Sequence, residues 1–108
     1  MTEFTTLNTI TKETNELVRQ LAEIDLKLFH AENALEDAKA QIRISVDPKE
    51  LGSNEAVREA KIDSMVTEFT KVVRELKSQR IMVVARKTVA SNYLSTVKTI
   101  LNSSTQTA

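Results

Sequence analysis

The sequence predicts an all-α fold: a two-helix antiparallel coiled-coil hairpin that dimerises into a four-helix bundle. Three observations predict it. The only Gly and the only Pro of the 108 residues lie together, in Asp47-Pro48-Lys49-Glu50-Leu51-Gly52-Ser53, and no other strong breaker occurs. Long runs of good helix formers flank that stretch. In both flanks apolar residues recur in alternating steps of three and four, the spacing of helices packed along a seam.

Helix 1 is expected over about residues 7–44. Its seam reads Leu7, Ile10, Thr14, Leu17, Leu21, Ile24, Leu28, Ala31, Leu35, Ala38 and Ile42, with Thr14 the one polar member. Ile42, Ile44 and Val46 also alternate with polar residues, so residues 42–46 can be read as a short extended piece instead. The turn is expected over 47–53. Asp47 can cap a short helical turn with Pro48 at its first position, and Gly52 can end that turn in the left-handed conformation. Ser53 or Asn54 then caps helix 2, with Glu55 and Glu59 near its positive end.

Helix 2 is expected over about 54–102. The same stepping gives Ile62, Met65, Phe69, Val72, Leu76, Gln79, Val83, Arg86, Ala90, Tyr93, Val97 and Ile100. Folding at residue 50 sets Leu28 opposite Val72, Ala31 opposite Phe69, Leu35 opposite Met65 and Ala38 opposite Ile62. Small residues then face large ones, as interdigitating layers require. The Thr- and Ser-rich ends, 1–6 and 103–108, are expected to fray. The whole chain reads as a single domain.

A hairpin buries one stripe per helix, and this sequence has more apolar surface than that. Helix 1 carries Val18, Ala22, Leu26 and Phe29 off its seam, and helix 2 carries Val66, Val73, Ile81, Met82, Val84 and Ala85. Leaving six to ten such residues in water would forgo on the order of 10 kcal/mol, comparable to the net stability of a domain. A homodimer that buries this belt is therefore expected, or else a protein partner that docks on it.

Composition removes most chemistry. There is no Cys and no Trp, so thiolate metal sites and cysteine nucleophiles are excluded. One Gly cannot build a phosphate-cradling loop. Formal net charge is zero, unlike a bulk polyanion binder. Residues 1–53 nevertheless hold 6 Lys/Arg against 10 Asp/Glu, and 54–108 hold 9 against 5, so the two arms attract. The longest apolar run, Ile81 to Ala85, is far too short to span a bilayer, and Met1-Thr2-Glu3-Phe4 does not open like a secretory leader. A cytoplasmic protein without a cofactor is expected.

Candidate sites are few. His30 is the one imidazole, but position 27 is Lys27, so the Glu-x-x-His pattern of bundle metal centres is missing; a surface histidine is expected, and no metal. Asp25, Glu32, Glu36 and Asp37 make helix 1 acidic without any pocket signature, and they read as a solvated face partly neutralised by helix 2. Lys77, Arg80, Lys87 and Lys98 fall within about 80° of arc and could track a phosphate backbone, although only Tyr93 is nearby for stacking on bases. The alternative function is thus nucleic-acid association through the basic side of helix 2. No constellation supports catalysis.

The segment Asn54-Glu55-Ala56-Val57-Arg58-Glu59-Ala60 opens a long amphipathic helix after a Gly-bearing turn. In this, and in length and two-helix layout, the chain resembles small uncharacterised helical-hairpin proteins of bacteriophages and prophages. The resemblance implies a phage accessory protein in the host cytoplasm, acting by binding a host or phage complex. It carries over no functional residues. The chain lacks the β-hairpins of prefoldin-like proteins and the Trp-x-Gly turn of a secreted hairpin family. The function expected is therefore a non-enzymatic protein–protein interaction or assembly module.

Overall fold

Helix is the only regular structure among the described residues of the computed structural model, which are 2–107 for the backbone and 4–103 for side chains. Helix α1 runs Thr2–Ser45, α2 Pro48–Leu51, α3 Glu55–Met65 and α4 Thr67–Thr107. Both expected frayed ends are helical as far as they are described; Met1 and Ala108 lie outside the described residues. Residues 42–45 are helical too, and the Val46 N–H donates to the Ile42 carbonyl at 2.9 Å. Helical continuity overrides the local alternation there. Threonine is a modest helix former, yet these helices accommodate many. Their hydroxyls donate to the carbonyl one turn back, as Thr11 does to Leu7 at 2.7 Å and Thr96 to Asn92 at 3.0 Å.

The chain divides into two compact units. Unit 1 comprises Met1–Ile24 with Gln79–Ala108, and unit 2 comprises Asp25–Ser78. Unit 2 is a helical hairpin. The Asp47 carboxylate accepts from the Lys49 N–H at 2.9 Å, with Pro48 at the first position of α2. The Asn54 side chain accepts from the Val57 N–H at 2.9 Å and so caps α3. Gly52 departs from expectation: its backbone is extended (φ 160°, ψ 173°), not left-handed. Glycine is needed there for space, since a Cβ would lie 2.9 Å from the Val57 Cβ. The Arg58 Nε donates to the Gly52 carbonyl at 3.1 Å and ties the turn to α3. Across the two arms of unit 2, Arg43 pairs with Glu59 at 3.1 Å and Lys39 with Asp63 at 3.6 Å.

The expected single helix 2 is broken at Val66, which has φ −108° and ψ 20°. Two hydroxyls next to the break bond carbonyls only three residues back: Ser64 to Lys61 at 2.6 Å and Thr67 to Ser64 at 2.8 Å. Such bonds compete with the regular ladder and bend a helix. The break changes which residues face α1. Ile62, Val66 and Val73 are buried, whereas Met65, Phe69 and Val72 are exposed. Half-buried Thr70 sits between them and donates to the Val66 carbonyl at 3.3 Å, which satisfies its hydroxyl. Thr14 solves the same problem in α1 by donating to the Ile10 carbonyl at 2.8 Å. The seam positions expected at Met65, Phe69 and Val72 are thus corrected to Val66, Thr70 and Val73, each one residue further on.

Candidate interaction surface

The α1 seam lies where the sequence puts it. Ile10 is buried, and Leu17, Leu21, Ile24, Leu28, Ala31 and Leu35 are half-buried. On α4, Val83 and Val97 are buried while Leu76, Lys87, Ala90, Leu94 and Leu101 are half-buried. Arg86, Tyr93 and Ile100, expected in the seam, are exposed, each replaced by its C-terminal neighbour. Tyr93 has a polar tip that favours an edge over a narrow seam. Lys87 has a long apolar stem that can lie along the seam while its ammonium reaches water.

The residues read as an apolar belt divide. Val18, Ala22, Leu26, Phe29, Ile81, Met82 and Ala85 are exposed, Ile81 at 70%. Val84 is half-buried. Val73 is 6% exposed and is corrected from belt to seam.

Three of the polar candidates, Glu32, Glu36 and Lys77, lie in ion pairs. Glu32 lies 4.0 Å from Lys77, and Lys39 lies 3.9 Å from Glu36 as well as beside Asp63. Of the basic residues read as a phosphate-tracking face, Lys77 thus has a carboxylate neighbour in α1, and Lys87 is half-buried at the seam. Arg80 and Lys98 are exposed. In unit 1, Arg19 bridges Glu16 and Glu23. Its hydrogen bond holds the Glu16 carboxyl below the usual carboxylate range, helped by the Gln20 amide. The same bond to Glu16, with the charges of Glu16 and Glu23, raises Arg19 above its ordinary value. All three are exposed, so this network decorates a surface. His30 is exposed and edge-on to the Phe29 ring, centroids 5.7 Å apart. No group of three His, Cys, Asp or Glu that could hold a metal occurs among the described residues. No helix among them is long and apolar enough to cross a membrane.

Sequence reasoning missed a groove within unit 1. Ile10 and Leu17 of α1 and Ala90 of α4 line it, together with exposed Val89 and Tyr93. Glu13 and Arg86 also line it, and neither makes an ion pair among the described residues. The signal was the i, i+4 spacing of Val89 and Tyr93, which lay hidden while Tyr93 was read as seam. No family model, curated protein or solved structure matches the chain.

Proposed function

We propose that this chain is a non-enzymatic interaction and assembly module that associates with a second copy of itself, two pairs of helices forming a four-helix bundle. One observation carries the reading. The described residues bury seven hydrophobic side chains and leave fourteen large ones exposed. In unit 1 the exposed side chains include Val18, Ile81 and Met82, and in unit 2 Leu26 and Phe29. Each is worth roughly 1.5–3 kcal/mol if fully covered.

Apolar surface not used by the second copy serves a protein partner. Given the resemblance of residues 54–60, that partner is a host or phage complex and the chain a small phage accessory protein.

Association makes stability depend on concentration. Between about 1 and 100 µM chain, Tm should rise by about 5–10 °C. Thermal unfolding followed by circular dichroism checks this, and a Tm independent of concentration would contradict self-association.

A further inference from the structure

We infer that the unit 1 groove is the site where the second copy docks, with α1 of each copy laid over α4 of the other. The inference rests on the self-association proposed above and names its surface. The groove has an apolar floor of Ile10, Leu17 and Ala90, and Val89, 69% exposed, stands beside it with Tyr93. One acidic and one basic side chain, Glu13 on α1 and Arg86 on α4, also line it without a mate. An occupant that satisfies this groove must offer apolar side chains, a cation for Glu13 and an anion for Arg86.

A second copy, turned by a two-fold axis running along the groove, offers all three. It sets Val89 and Tyr93 of each chain on Ile10 and Leu17 of the other. It sets Glu13 of each against Arg86 of the other, the reciprocal contact of an isologous dimer. Charge also selects this arrangement over its rival. The α4 part of unit 1, residues 79–103, carries Arg80, Arg86, Lys87 and Lys98 and no acid. Laying α4 on α4 would therefore oppose cations with cations. The α1 part, residues 4–24, carries Glu13, Glu16 and Glu23 against Lys12 and Arg19, so α1 over α4 is attractive.

Sedimentation equilibrium on the full chain and four variants tests this, with helicity checked by circular dichroism. Val89→Glu should abolish the dimer while leaving the helices formed, because Val89 is exposed within one chain. Ile44→Glu, exposed and outside both the groove and the apolar belt, should leave the dimer intact. Glu13→Arg and Arg86→Glu should each weaken it by about tenfold or more. An equimolar mixture of those two should dimerise like the native chain, because each mixed pair restores both opposite-charge contacts. If the native chain dimerises and Val89→Glu does too, the groove is the wrong site although self-association stands. If the two charge variants are weak and their mixture stays weak, the pairing of Glu13 with Arg86 is wrong. A monomeric native chain overturns both readings.

Discussion

Val73→Glu is expected to cost on the order of 3–5 kcal/mol, enough to unfold much of the protein, whereas Val72→Glu leaves the helices formed at low concentration. The two residues are neighbours with the same side chain, and they differ only in phase around α4. Val73 is 6% exposed and Val72 49%. A carboxylate at 73 would be driven out of water into the seam of unit 2. At 72 it would stand in water. Urea unfolding of both variants at low micromolar chain measures the contrast. Equal midpoints would mean that the inward row runs through Phe69 and Val72 after all.

Ile62→Ala is expected to destabilise by about 2–5 kcal/mol, the range for removing a buried branched side chain and leaving a cavity. Ile62 is 2% exposed and Val66 1%, the two most completely enclosed large side chains described. Ile62 also lies beside Leu51 and Pro48, in the hollow where the short α2 turn meets α3. The lost methyl groups therefore loosen the turn as well as the seam. With only seven buried hydrophobic side chains among the described residues, little else can take up the loss. Denaturant unfolding gives the difference directly. A cost below about 1 kcal/mol would mean that the site collapses around the smaller residue.

The sequence was most readable where one periodicity ran the length of a helix. In α1 the three–four stepping from Leu7 to Ile42 outruns the short second row from Val18 to Phe29, and each of its positions is buried or half-buried. The Asp47 cap before Pro48 was also readable, and the second cap was narrowed to Ser53 or Asn54, of which Asn54 takes the role. In α4 two seams share Leu76, Val83, Ala90 and Val97 and differ only in whether Arg86 or Lys87, Tyr93 or Leu94, comes between. Counting apolar residues does not separate the two rows, since each adds one cation and two apolar side chains; in the structure Arg86, Tyr93 and Ile100 are exposed and Lys87, Leu94 and Leu101 half-buried. The break at Val66 was not readable, since no Gly or Pro marks it and the N–H groups of Val66 and Thr70 still donate one turn back, to the Ile62 and Val66 carbonyls. The groove in unit 1 followed from the same misassignment. Once Tyr93 leaves the seam it becomes an exposed aromatic beside Val89. The division into two units has no counterpart in composition, because no Gly or Pro lies near residues 24 or 79.

The most direct measurement is the molar mass of the native chain in solution, by light scattering across a concentration series at physiological salt. The account predicts a species of twice the 12.1 kDa chain mass through the micromolar range. A mass of 12.1 kDa at every concentration would contradict it, since the exposed apolar side chains would then be at home in water.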